Sequence, residues 1–274
     1  MFKIIIMALL IFIGMVGYDN ITDKAQPTTP VQQEQQKISK HEKSAAMALF
    51  TSLLPPKEEW PSPVHKFYLA FNMDEVIDPV RQNPNWTSLD AMSRDIPQAL
   101  IAIEDHAFYN HGAIAVEGIL RAALANINAG EVVQGGSTLT QQFVKNVFLS
   151  HEQSMERKIE EAVLSLMLED NYSKDEILEL YLNTTYFGAG STGIKQASRT
   201  YFGKTPSALT LAEAAVIASL PYAPTGLNPL ENPEGCKKRQ LLVLAAMHKY
   251  GMINQGQLEE AKAEKIRLTN GTVM

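Results

Sequence analysis

From Leu89 onward, apolar residues recur at helical spacing. Over 93–103, Ile96, Ala99, Leu100 and Ile103 fall three and four apart, which predicts a helix with one face turned inward. Residues 114–129 repeat the pattern with Ile119, Leu120, Ala123, Leu124 and Ile127, and Gly130 supplies a stop signal. Residues 157–169 are apolar on most sides (Ile159, Ala162, Val163, Leu164, Leu166, Met167, Leu168), which predicts a buried helix. Ser173 followed by Glu176 has the spacing of a capping box and opens a helix over 174–182. Further helices are expected at 211–220, ended by Pro221, and at 234–249 and 255–264. Alternation with period two is weak and no internal repeat is visible. The fold class is mainly α.

The N-terminus follows a different pattern. Residues 4–17 form an uncharged apolar run after Lys3. At about 1.5 Å per residue it spans roughly 21 Å, short of a hydrocarbon core of about 30 Å. Met15 at the −3 position before Gly17 makes a poor cleavage site, so a short uncleaved signal-anchor over 1–18 is favoured over a cleaved signal peptide. Lys3 before the run, with Asp19 and Asp23 after it, places the body outside the cytoplasm. No Cys follows, which excludes lipoprotein processing. Residues 19–43 are polar and Gln-rich and read as a tether. Pro55, Pro56, Pro61 and Pro63 continue the 19–64 segment into an extended lead-in over 64–71, and the folded domain is expected over 65–274.

Composition narrows the function classes. The 274 residues carry 24 Lys and Arg against 30 Asp and Glu, a net charge of −6. That balance argues against general binding of nucleic acid. With 45% apolar residues the chain has globular rather than disordered composition. A single Cys236 excludes an intrachain disulfide and a Cys-based zinc cluster.

Three clusters carry candidate chemistry. In the first, the apolar run 99–103 delivers Glu104 and Asp105, with Phe108, Tyr109 and His111 close behind. A carboxylate brought by a buried helix to a cleft wall is partly desolvated and suited to proton transfer. The second is Gly135-Gly136-Ser137-Thr138-Leu139-Thr140-Gln141-Gln142, with Lys145 and Asn146 beyond it. The glycines allow close backbone approach, Ser137 or Thr138 suits an N-cap, and free N–H groups there suit an anion such as phosphate. The third is Arg157-Lys158-x-x-Glu161, whose i,i+3 and i,i+4 spacing puts all three on one face. On an apolar helix such charges should line a cleft, with the cations holding a diphosphate and Glu161 orienting them or bridging through a metal.

With these clusters in order, the chain resembles the peptidoglycan glycosyltransferases: the transglycosylase module of class A penicillin-binding proteins and the monofunctional biosynthetic transglycosylases. The resemblance covers roughly 65–250. Beyond the three clusters it includes Ile177-Leu-Glu-x-Tyr181-Leu-Asn183, Tyr186-Phe-Gly188, Tyr201-Phe-Gly-Lys204, Glu213-Ala-Ala, Pro224 and Asn228-Pro229. It implies a lysozyme-like helical domain and inverting glycosyl transfer from a lipid-linked donor, making a β-1,4 glycan strand. On that resemblance Glu104 is the base for the acceptor 4-hydroxyl of lipid II, and Glu161 assists on the donor side where undecaprenyl diphosphate leaves. Lys145, Arg157 and Lys158 match phosphate-contacting positions. Ser137, Thr138, Gln141 and Gln142 match cleft-lining polar residues, Asp105 and Phe108 shape the site, and Asn183 belongs to the fourth motif. The implied partners are lipid II, the growing strand, the membrane and a cell-wall synthesis complex. A divalent cation, Mg2+ or Mn2+, fits beside Glu161, although no ligand set is evident.

Two positions depart from the family pattern. Gly112-Ala113 stands where x-Gly is usual, and Ala113 would be strained if the loop there needs a positive φ. Gln153 replaces an Arg found in many members. Within 114–129, Glu117 and Arg121 interrupt the apolar run, leaving a packed core helix and a membrane-facing jaw as alternatives. Two other functions compete: a lysozyme or lytic transglycosylase that cleaves glycan, and an inactive membrane-tethered scaffold. The cations beside Glu161 favour the polymerase, because cleavage of an uncharged glycan releases no diphosphate.

Overall fold

The computed structural model describes residues 68–69, 72–129, 135–149 and 154–274. They fall in two compact units, Met1–Met73 and Asp74–Met274. The expected anchor over 1–18, the tether and Gln153 lie outside the described residues. Tyr68 and Leu69, expected in an extended lead-in, are helical instead. Among the described residues no helix is long and apolar enough to cross a membrane.

The second unit carries ten helices among its described residues: α1 (Asp74–Arg81), α2 (Asp95–Glu104), α3 (Val116–Ala129), α4 (Leu139–Phe148), α5 (Met155–Asn171), α6 (Lys174–Thr184), α7 (Ile194–Phe202), α8 (Leu211–Ser219), α9 (Pro233–Lys249) and α10 (Gln255–Ala263). The only β pairing there consists of two isolated antiparallel bridges, Tyr186 with Thr192 and Arg267 with Val273. The mainly helical expectation therefore holds.

Two groups of helices position the site. In one, α2, α8 and α9 pack against each other, and α10 lies on α9. Helix α8 is buried from Ala212 to Ser219, and its alanines let neighbouring backbones come close. Its inward Glu213 is satisfied twice over. It closes a capping box with Thr210 and receives Lys204 Nζ on both oxygens at 2.7 and 2.8 Å. In the other group, α4 packs on α5 and α6. Thr140 of α4 and Lys174 of α6 both donate to Glu169 Oε1 of α5, at 2.5 and 2.7 Å. Helix α7 touches both groups through α6 and α8.

Helix α5 is only half buried, contrary to the expectation from its apolar sequence. Glu161, Leu164, Ser165 and Leu168 face inward, whereas Ile159 is 55% exposed. Ile159 lies outside, Ala162, Val163 and Leu166 are half-buried, and a carboxylate lies inside, because the carboxylate has partners there. Helix α3 turns four large apolar residues outward: Val116, Ile119, Leu120 and Ile127 are all exposed, while Ala122 is buried. A fully packed core helix is thereby ruled out for these positions.

Candidate active site

Helix α2 is built to deliver its last residue. Ile96, Ala99, Leu100, Ile101 and Ala102 are buried, so the helix is fixed in the core and Glu104 emerges at its C-terminus. Glu104 lines an open cavity of about 370 Å³, together with Asp105, His106, Arg121, Ser137 and Thr138. Gln142 Nε2 donates to Glu104 Oε2 at 2.9 Å, and Tyr181 donates its hydroxyl to Gln142 Oε1 at 3.1 Å. Among the described residues no side chain bonds Glu104 Oε1. One oxygen of the carboxylate is held and the other is available, the arrangement a proton acceptor needs.

Asp105 has a different task. Its Oδ2 accepts the backbone N–H of Leu139 at 3.0 Å, and its Oδ1 lies 2.6 Å from His111 Nε2. The expected anion site at the N-terminus of α4 is thus already occupied, with the chain's own carboxylate as the anion. The other end of that helix start is closed by a capping box in which Thr138 and Gln141 bond each other. Thr138 also donates to the Ala113 carbonyl at 2.8 Å. Burial works against charge on His111, but the Asp105 hydrogen bond, the Gly112 carbonyl and the Asp105 charge outweigh it and raise its pKa. With an acceptor at each ring nitrogen, the imidazolium is the favoured form. The strain anticipated at Ala113 is absent, since Ala189 alone among the described non-glycine residues has a positive φ.

The cationic side begins on α5. Ser154 caps the helix by accepting the Arg157 N–H at 3.1 Å. Arg157 Nη1 reaches Glu161 Oε2 at 3.3 Å, and Lys158 Nζ bonds Glu161 Oε1. Lys158 Nζ also donates to Ser137 Oγ at 3.1 Å, which joins the third cluster to the cleft wall. Two cations share one carboxylate, so the trio carries a net positive charge, and among the described residues Arg157 Nε is buried without a hydrogen-bond partner. An orphaned guanidinium N–H beside surplus positive charge fits a polyanionic ligand such as a diphosphate.

Three other expected site residues, Phe108, Gln141 and Asn183, are engaged within the fold. Phe108 is fully buried under Lys174, whose Nζ lies 4.4 Å from the ring centroid. Gln141 serves its capping box. Asn183 clasps Thr87, accepting its N–H and donating to its carbonyl, each at 2.8 Å. Lys145 is exposed one turn beyond Gln142 on α4. Both Glu161 oxygens are engaged by cations. Among the described residues no group of three or more His, Cys, Asp or Glu side chains is placed to hold a metal ion. The residues present do not fit a divalent ion held by the protein at Glu161.

Sequence reasoning overlooked three cleft contributors. His106 lines the cavity and stacks on Tyr250 with ring centroids 4.2 Å apart, and Arg121 Nη1 lies 3.5 Å from its Nε2. Burial and then the Arg121 charge lower the His106 pKa, so it favours the neutral form. Tyr181 reaches Glu104 through Gln142. In the sequence His106 shows only its adjacency to Glu104, Tyr181 only its place in a family motif and Arg121 only its interruption of an apolar run. Arg121 and Tyr181 arrive from other helices.

Comparison with known proteins identifies the family. The family model described as Transglycosylase matches residues 72–248. Penicillin-binding protein 1A of Neisseria flavescens is 44% identical over 185 residues, 68% of this chain and 23% of that protein. A Cupriavidus necator chain carrying the provisional name transglycosylase is 42% identical over 188 residues, 69% of this chain and 81% of its own. The crystal structure of penicillin-binding protein 1A from Haemophilus influenzae aligns at 33% identity over 48% of this chain and 16% of that one, with a TM-score of 0.34. The fold therefore rests on the helices described above rather than on that superposition. The chain spans about a quarter of the penicillin-binding proteins it matches but most of the Cupriavidus necator protein. With a match over 177 of its 274 residues (72 through 248), the chain belongs to the transglycosylase family.

Proposed function

We propose that the chain polymerises peptidoglycan glycan strands from lipid II by inverting glycosyl transfer, using a lysozyme-like arrangement of helices. Glu104 Oε1 takes the proton from the 4-hydroxyl of the acceptor sugar. The hydroxyl oxygen forms the new bond to the donor's anomeric carbon from the face opposite the leaving group. The bond from that carbon to the phosphate oxygen breaks, and undecaprenyl diphosphate departs with the electron pair. Arg157, Lys158 and Lys145 offset the charge gathering on the diphosphate, while Glu161 keeps the first two aligned. The observation that carries this reading is the pairing of a half-engaged carboxylate in an open cleft with surplus positive charge joined to the cleft wall through Ser137.

The location belongs to the same proposal. Residues 1–18 anchor the chain in the cell membrane, with the catalytic domain on the extracytoplasmic side. The exposed Val116, Ile119, Leu120 and Ile127 of α3 then rest against the bilayer. A lipid-linked substrate would reach the cleft without leaving the membrane surface.

The test is incubation of the full chain in detergent with lipid II, alongside incubation with intact cell wall. Lipid-linked polymer with β-configured linkages supports the reading. Soluble fragments released from the wall, with no polymer from lipid II, would establish a glycan-cleaving enzyme instead.

A further inference from the structure

We infer that Tyr181 is a positioning residue for Glu104, holding the Gln142 amide in the one orientation that presents its N–H to the base. The inference rests on the reading of Glu104 as the base. An ionised carboxylate only accepts hydrogen bonds, so Gln142 must turn Nε2 toward Glu104 Oε2, and Oε1 then points away. Tyr181 meets that oxygen at 3.1 Å with its hydroxyl. The constraint matters most after proton transfer. A protonated Glu104 whose carboxyl turns over brings its proton to Gln142, and an unrestrained amide would be free to flip and offer Oε1. The carboxyl proton would then be shared with the amide rather than returned to solvent for the next cycle.

Tyr181 is suited to the task on three counts. It is 1% exposed and sits in α6, among the buried Ile177, Leu178, Leu180 and Leu182, so its ring does not swing. Burial, and then the charge of Glu104, push its phenol well above the ordinary range, so it stays a donor at every working pH. It also lies 39 residues from Gln142 in the sequence, so the bond is a tertiary one joining α6 to α4. It is not a by-product of helix geometry.

The experiment compares wild type, Tyr181→Phe, Gln142→Ala and the double variant, all in the full chain with lipid II. Tyr181→Phe keeps the ring and its packing and removes one hydroxyl. It is expected to lower kcat about tenfold, the worth of one net hydrogen bond, with KM within about twofold of wild type. In the Gln142→Ala background the same substitution is expected to add less than about a twofold further loss, because the tyrosine acts through the glutamine. Wild-type kcat in Tyr181→Phe, or an equal loss in both backgrounds, would overturn the inference. A second readout is independent of activity. The Gln142 side-chain amide protons, followed by NMR, should exchange about tenfold faster in Tyr181→Phe than in wild type; unchanged exchange would overturn the inference even if no polymer forms. Failure of wild type to polymerise lipid II would count against the proposed function alone.

Discussion

The carboxylate of Asp105 accepts the backbone N–H of Leu139 at 3.0 Å, fastening the end of α2 to the start of α4. Adjacent acids thus take unlike roles: Glu104 faces the cleft with one oxygen that no described side chain bonds, and Asp105 spends both of its oxygens on structure. Asp105→Asn is expected to destabilise the fold by about 1–3 kcal/mol, since a charge-assisted bond at a helix N-terminus is weakened. Glu104→Gln is expected to leave stability within about 0.5 kcal/mol. Chemical denaturation of both variants checks the contrast; equal destabilisation would contradict the division of labour.

The His111 clamp sets a pH window. Its pKa is raised in the folded chain, so its contribution to stability is fully present below the ordinary value of 6.5. It is lost as pH rises through the raised value. Thermal melts from pH 6 to 9 should show a decline in wild type that His111→Gln lacks. A decline of the same size in the variant would place the titration elsewhere.

The two glycines of the second cluster differ in kind. A Cβ on Gly136 would stand 3.0 Å from the Ile119 backbone of α3, whereas a Cβ on Gly135 meets nothing within 4 Å. Gly136→Ala is expected to cost about 1–3 kcal/mol through overpacking and to displace α3. Gly135→Ala should be close to neutral. Melting temperatures of the pair check this, and matching values would count against close approach at Gly136.

Glu161 is 1% exposed and holds two cations. Removing it as Glu161→Ala strands Arg157 and Lys158. The expected cost is about 2–4 kcal/mol, toward the lower end because Lys158 is partly open to water. Lys158→Met should destabilise far less but raise KM for the lipid-linked donor severalfold. Denaturation and steady-state kinetics separate the two effects.

Local signals were legible in the sequence and tertiary ones were not. The capping box at Ser173 and Glu176 is found where the spacing puts it, and of the two N-cap candidates Ser137 and Thr138 the structure uses Thr138; both caps lie within four residues of their partners. So does the Arg157, Lys158 and Glu161 trio, because one helical turn fixes it. Asp105 meets Leu139 across 34 residues, and Asn183 meets Thr87 across 96. No spacing rule reaches that far, so the sequence does not show that these polar residues staple the fold. The apolar run of α5 misled for a related reason: apolarity alone does not say that Glu161 would claim the inward face.

The central claim is that Glu104 removes the acceptor proton while the Arg157 and Lys158 side receives the diphosphate. Polymer formation from lipid II by wild type and by Glu104→Gln, matched for folding by melting temperature, tests it most directly. The account predicts polymer from wild type and a loss of at least about a hundredfold in the variant, the usual worth of general-base catalysis. Equal polymer from a correctly folded Glu104→Gln would contradict it.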